Sequence, residues 1–239
     1  MREIKKQLCI RQEEFVFILA SGAIAFLFGE ILLAVVVNIL HEKDSIFPIG
    51  TFLTLLIMLV MFTFLGITSM ATNYCLGIRM CSTRRRFVPM LVLGTFVEFL
   101  AALAEVYLLY HLEIRIFRLA YAGIENEVDL GILFQWKYIL CAGVMIIALN
   151  LFFGALYLKF GQLVFIIFWL FWMAFSISIQ GISHILSSDH NSAWAQFWHR
   201  IADLCATLSE NGMIAILISI SIMFSLISWF MLRKQEARS

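Results

Sequence analysis

The sequence predicts an all-α integral membrane protein, a single transmembrane domain over residues 1–239 with six transmembrane helices and both termini cytoplasmic. Three observations lead there. The chain is 62% hydrophobic and 14% charged over 239 residues, whereas a soluble domain averages about 45–50% apolar and ~25% charged. Apolar runs of roughly twenty residues, enough to cross a hydrocarbon core, recur six times. The basic residues then divide by side: with both ends inside, Arg2, Lys5, Lys6, Arg11, Arg79, Arg84, Arg85, Arg86, Lys159, Arg233, Lys234 and Arg238 are cytoplasmic, which is 12 of the 17. Lys43, Arg115, Arg118, Lys137 and Arg200 are left outside, the asymmetry that orients membrane proteins.

Met1–Glu14 is polar and reads as a solvated tail or a short helix on the inner surface. The first span covers about 15–40 and is too long for the h-region of a signal peptide, about 7–15 residues. Within it Ser21, Ala25 and Gly29 recur every fourth residue, a small-residue stripe that lets another helix approach closely. A polar loop and Pro48 lead into the second span, about 49–72. Pro89 suits the first turn of the third, about 90–110. A charged loop, His111–Leu130, precedes the fourth span at about 136–158. A tight Lys159–Gln162 connection leads to the fifth, about 163–186, and the sixth covers about 212–232. Between the last two, Trp194, Phe197, Trp198, Ile201, Leu204, Cys205 and Leu208 repeat at helical spacing and predict an amphipathic helix at the outer interface.

The polar stretch Thr72–Pro89 carries the densest positive charge of the first half. Wound as a helix over 74–87, it places Leu76, Met80, Thr83 and Phe87 on one stripe, with Ile78, Ser82 and Arg85 facing away. Such a helix is either a basic loop held at lipid headgroups or a contact element for a cytoplasmic partner.

Three acids fall inside predicted spans, where ionised groups cost about 2.5–3.5 kcal/mol on insertion scales and should face protein or a wet cavity. Glu98 and Glu105 share a face with Gly94, Ala101 and Ala102. Glu105 lies at the level of Lys137 and is expected to pair there. Glu98 suits a substrate path or a helix contact equally, and Glu30, beside the small-residue stripe, suits a helix contact. In the fifth span Phe165, Phe168, Trp169, Trp172 and Phe175 make one half aromatic, whereas Ser176, Ser178, Gln180, Ser183 and His184 make the other polar. That helix could line a cavity for an amphipathic cargo, with Trp169, Trp172, Ser176 and Gln180 as candidates, or its aromatics could be lipid-facing filler.

Enzyme chemistry has little to stand on. There is no H-E-x-x-H, no nucleotide-binding G-x-x-x-x-G-K-[ST] loop and no G-x-S-G. The five cysteines are scattered without a C-x-x-C spacing, and His184, Asp189, His190 and His199 match no metal-site spacing. No metal, no cofactor on this chain and no nucleic-acid partner are expected.

The segment Leu76-Gly-Ile-Arg79-Met-Cys-Ser-Thr-Arg84-Arg-Arg-Phe87, leading into span three, resembles the "small–x–S/T–R–R/K–x–F" pattern of small six-span permease subunits of bacterial ABC exporters of the second exporter type. Span count, orientation and the tight loop between spans four and five extend the resemblance over the whole chain. It is most similar to permeases exporting amphipathic antibacterial or cytolytic peptides, such as phenol-soluble modulins. The resemblance implies a bacterial cytoplasmic membrane protein that dimerises with an identical or second permease chain. It also implies a separate ATPase subunit that binds ATP and Mg. In that reading Leu76, Arg79, Met80, Thr83, Arg84, Arg85, Arg86 and Phe87 form the coupling helix docked on the ATPase. The alternative is an ion- or proton-coupled secondary transporter acting alone through Glu98 and Glu105. An intramembrane hydrolase using His184 is a third possibility with less behind it.

Overall fold

The computed structural model describes residues 11–39, 45–79, 84–120, 125–126, 130–187, 196, 198–200, 203 and 207–234. Side chains of residues 77–79, 84–87, 175 and 177–187 are not among those described, although their backbone is helical.

Long apolar runs with few helix breakers become long helices here. In chain order they are α1 (Gln12–Ile39), α2 (Ile49–Val60), a π-helical turn (Met61–Leu65), α3 (Gly66–Arg79), α4 (Arg84–Ala120), α5 (Trp136–Phe160), α6 (Gln162–Ser187) and α7 (Glu210–Lys234). A 3-10 turn, Leu130–Phe134, leads into α5. Two dipeptides, Ser45–Ile46 (β1) and Glu125–Asn126 (β2), form a short parallel bridge with Ser45 opposite Glu125. Five stretches are long and apolar enough to cross a membrane: Gln12–Asn38, Ile49–Leu76, Val88–Ala120, Trp136–Phe160 and Glu210–Leu232. In α6 the apolar part with described side chains is Gln162–Ala174.

The helix ends differ from the sequence reading in two places. Span two does not stop near Thr72: α2, the π turn and α3 form one rod that continues to Arg79, so Leu76 and Arg79 close this helix rather than opening a separate one over 74–87. Arg84, Arg85, Arg86 and Phe87 are the first turn of α4, which places Pro89 in its second turn. Met80 and Thr83 lie outside the described residues, as do most of residues 194–208, where the interfacial helix is expected. The second difference is at the other end of α4. The expected loop at His111 is helical through Ala120, giving 37 residues and a length of about 55 Å at ~1.5 Å per residue.

Burial explains that extension. Glu113 is fully buried, and its carboxylate accepts hydrogen bonds from the Gly50 and Thr51 N–H groups at 2.9 and 2.8 Å and from the Thr51 hydroxyl. These are first-turn donors of α2, whose N-cap, Pro48, offers no side-chain bond. A helix N-terminus leaves its first N–H groups without intrahelical partners. Glu113 satisfies two of them from a neighbouring helix, and the last turns of α4 are thereby tied to the start of α2.

Helix α1 buries Ile18, Gly22, Ala25, Phe26, Gly29, Leu33 and Val37, one face at helical spacing. Of the expected small-residue stripe, Ala25 and Gly29 lie on that face, while Ser21 is half-buried and donates its hydroxyl to the Ile18 carbonyl at 2.7 Å. At Gly29 the approach is backbone to backbone. A Cβ there would stand 2.5 Å from the Gly50 Cα, which is backbone and cannot swing aside. The core lies in layers along the bundle. Ile18, Met58, Phe62, Phe99, Ala102 and Val106 form one, and Met70, Tyr74, Val88, Leu91, Leu151, Ala155 and Leu232 form another. In the second, the Tyr74 hydroxyl donates to the Leu232 carbonyl at 2.9 Å, which satisfies the polar tip of a buried ring.

Candidate functional site

One group of polar side chains converges near the start of α1. Arg11 is 7% exposed and sits between α1 and α4. Its Nη2 donates to Glu98 Oε2 at 2.6 Å, and its Nη1 donates to the Thr95 hydroxyl at 3.2 Å and to the Leu91 carbonyl at 3.4 Å. Space for the guanidinium comes from Gly94, where a Cβ would stand 2.8 Å from Nη1. Arg11 Nε lies 3.6 Å from Glu14 Oε2 and makes no hydrogen bond. Glu14 in turn accepts from the Ser69 hydroxyl at 2.6 Å, and Asn73 donates to Ser69 at 3.0 Å. A charge buried this far is held by pairing, because an isolated ion in low dielectric is strongly unfavourable. The polar start of the chain is therefore neither a solvated tail nor a surface helix from Arg11 onward. It enters the bundle, and Arg11 is an internal ion-pair partner rather than an inner-surface cation.

This network forms one wall of a cavity of about 420 Å³ between α1, the α2–π–α3 rod, α4 and α5. Its other wall is apolar, made by Phe17, Ile18, Met61, Phe62 and Leu65. The π-helical turn Met61–Leu65 supplies three of those residues. Such a turn inserts an extra residue into the helical ladder and re-aims side chains, and it is frequent at functional sites. Phe17 and Leu65, at the rim, are 55% and 40% exposed.

At the back of the cavity lies Asn150, midway along α5 and 3% exposed. Neither its Oδ1 nor its Nδ2 has a hydrogen-bond partner. The carboxamide rests against Gly66, where a Cβ would come within 2.5 Å of Nδ2 and 2.6 Å of Oδ1, so a side chain at the start of α3 would displace it. A buried polar group without a partner costs about 1–3 kcal/mol, and native structures hold few of them.

No protein-family model, curated protein or solved structure matches this chain. The reading of the site therefore rests on its own residues.

Of the candidates named from sequence, Glu98 lines this cavity and is held by Arg11. Glu105 does not pair with Lys137. Lys137 instead makes an ion pair with Glu210 at the start of α7, and Tyr138 donates to the same carboxylate. Glu105 faces Gly22 of α1, where a Cβ would stand 3.1 Å from its Oε1, and its Oε2 is buried without a partner. Glu30, as a helix-contact residue, packs against Gly50 and lies within hydrogen-bonding reach of Glu113. The aromatic half of α6 is interior packing in part: Phe64 of the π turn makes edge contacts with Phe165, Phe168 and Trp172, at centroid distances of 5.7, 5.4 and 6.1 Å. Trp169 is exposed on the outer face of α6, and Ser176 is half-buried; neither these nor Trp172 line the cavity. The side chains of Gln180 and His184 lie outside the described residues. Among the described residues no group of three His, Cys, Asp or Glu side chains could hold a metal ion.

Sequence reasoning missed Arg11, Glu14, Ser69 and Asn150. Asn150 carries a legible signal: it is the only carboxamide between Tyr138 and Tyr157, in a run where every neighbour is apolar or small. Arg11 carries none, since a basic residue just before a span is ordinary.

Proposed function

We propose that the chain is the membrane permease subunit of an ATP-driven exporter, and that the cavity bounded by Arg11, Glu98 and Asn150 holds an amphipathic substrate. The observation that carries this reading is the two-sided lining. One wall is aromatic and aliphatic with the exposed Phe17 and Leu65 at its rim, while the other presents buried ionic and amide groups. A ligand with one apolar and one polar side can enter laterally from lipid and keep both sides satisfied, the pattern expected of binding cavities with a few convergent polar groups. The ATPase and the pairing with a second permease chain rest on the resemblance of Leu76–Phe87, with α6 as a sixth span and both ends cytoplasmic. In this arrangement the end of α3 and the first turn of α4, with Leu76, Arg79, Met80, Thr83, Arg84, Arg85, Arg86 and Phe87, meet the ATPase. Motion there reaches the cavity directly, because α3 and α4 also carry Gly66, Ser69, Thr95 and Glu98. Coupling of this kind needs a rigid element with two arrangements.

The test is accumulation of a fluorescent amphipathic peptide in inverted membrane vesicles, with and without ATP. Thr68 lines the cavity and is half-buried, and Thr68→Trp fills it without touching the ion pair. The expected result is ATP-dependent accumulation that falls at least tenfold in Thr68→Trp. Accumulation that needs no ATP and disappears on changing Glu98 or Glu105 would instead establish the ion-coupled carrier.

A further inference from the structure

The rod of α2, the π turn and α3 changes neighbours partway along. Its first half is held by α1 and α4: Glu113 accepts from the Gly50 and Thr51 N–H groups, and Gly29 packs on Gly50. Its second half is held by α5 and α7. There Met70 packs on Gly154, where a Cβ would stand 2.7 Å from its Cγ, and the Tyr74 hydroxyl donates to the Leu232 carbonyl. The link from α3 to α1 is polar, through Ser69 and Asn73 to Glu14. The turn Met61–Leu65 is the junction between these two sets of attachments. Long helices kink at such turns, and also where a side chain inserts into the hydrogen-bond ladder.

The side chain placed to insert is Asn150. The π turn closes with the Gly66 N–H donating to the Met61 carbonyl, and the Asn150 carboxamide is packed on Gly66 itself. Its Oδ1 and Nδ2 are buried without partners, so what they press on is the backbone of the rod. A carboxamide carries an acceptor and a donor on one rigid group, which are the two things that an opened N–H and C=O pair needs. We infer that the π turn is a hinge and Asn150 its catch: when the rod bends, the Gly66 N–H leaves the Met61 carbonyl, Oδ1 accepts that N–H, and Nδ2 donates to that carbonyl. One backbone hydrogen bond is lost, two are formed, and both orphaned atoms gain partners. Against this stands the packing of Phe64 on Phe165, Phe168 and Trp172, which holds the rod in the arrangement seen. Gly66 serves both forms, because without a side chain it lets the carboxamide lie against the backbone and weakens the helix at that point. Met61, Phe62 and Leu65 line the cavity, so bending here changes its shape. The hinge goes beyond the transport reading and does not depend on it.

The test is NMR relaxation dispersion, which reads exchange on the microsecond-to-millisecond scale. It uses the full-length protein in detergent micelles, isotope-labelled at the glycine and asparagine nitrogens, with no nucleotide or partner present. The expected result in wild type is exchange of the Gly66 N–H and Asn150 Nδ2 at one common rate, with a minor form of about 0.1–10%. The Gly50 N–H, at the anchored start of α2, should not share that rate. Asn150→Leu keeps the volume and has nothing to insert, so the minor population read at Gly66 should fall about tenfold or more, the size of two lost hydrogen bonds. Asn150→Ala reads the same loss without requiring leucine to fit. Thermal unfolding of Asn150→Leu, unchanged or raised because a buried unsatisfied amide has gone, confirms an intact fold. A Gly66 N–H without exchange in wild type, exchange that survives in Asn150→Leu and Asn150→Ala, or a Gly50 N–H exchanging at the same rate as Gly66 would each overturn the inference.

Discussion

Replacing Arg11 by leucine is expected to destabilise the folded protein by about 3–5 kcal/mol, the usual cost of removing one partner from a buried ion pair. The reason is the carboxylate left behind. Glu98 is 6% exposed and has Arg11 as its ion-pair partner at 2.6 Å. Thr95 loses a donor at the same time. The double variant, Arg11→Leu with Glu98→Leu, is expected to recover most of the loss, because two apolar side chains of similar volume need no partner there. Denaturant unfolding in mixed micelles, applied to wild type, both single variants and the double, measures the coupling. Additive losses would mean that the two side chains do not hold each other.

The second large effect is expected at the opposite end of α4. Glu113→Ala removes a fully buried carboxylate that accepts three hydrogen bonds from Gly50 and Thr51. Two backbone N–H groups and a hydroxyl are then buried without partners, and at about 1–3 kcal/mol for each such group the loss is at least about 3 kcal/mol. Glu30 faces the same carboxylate, so relief of a carboxyl–carboxyl contact offsets part of this and cannot replace three donors' partners. Amide hydrogen exchange gives a local reading as well as a global one: Gly50 and Thr51 should lose protection in Glu113→Ala while the layer around Phe62 and Phe99 keeps it. Unchanged exchange at the start of α2 would show that Pro48 and its neighbours cap the helix without help.

Helix identity and approximate span positions were legible because the apolar runs are long and almost unbroken; no tertiary knowledge is needed to see that 28 residues from Gln12 to Ile39 form a helix. The starts at Ile49 and Trp136 were legible too, but the ends of α3 and α4 were not. Sequence polarity ended span three at Tyr110, but polarity does not end a helix when its polar residues have buried partners, as Glu113 does. The same failure, reversed, occurred at the start of the chain. Arg11 reads as a flank residue, and only the approach of α1 to α4 across Gly94 brings it to Glu98. Glu98 could be singled out as an intramembrane acid because such residues are rare, yet its partner could not be named, since they are 87 residues apart. Trp172 illustrates the limit for apolar side chains. Its position on an aromatic half-helix was visible, whereas the choice between lipid and Phe64 depends on a π-helical turn that no periodicity announces.

The central claim, that this chain works as the permease of an ATP-driven exporter, is tested most directly by purifying the tagged protein in mild detergent and identifying what co-elutes by mass spectrometry and ATPase assay. The account predicts a stoichiometric nucleotide-binding subunit whose association is lost in Phe87→Asp, while that variant still inserts in the membrane. A protein that elutes without an ATPase, or one whose ATPase association is indifferent to Phe87→Asp, would contradict it.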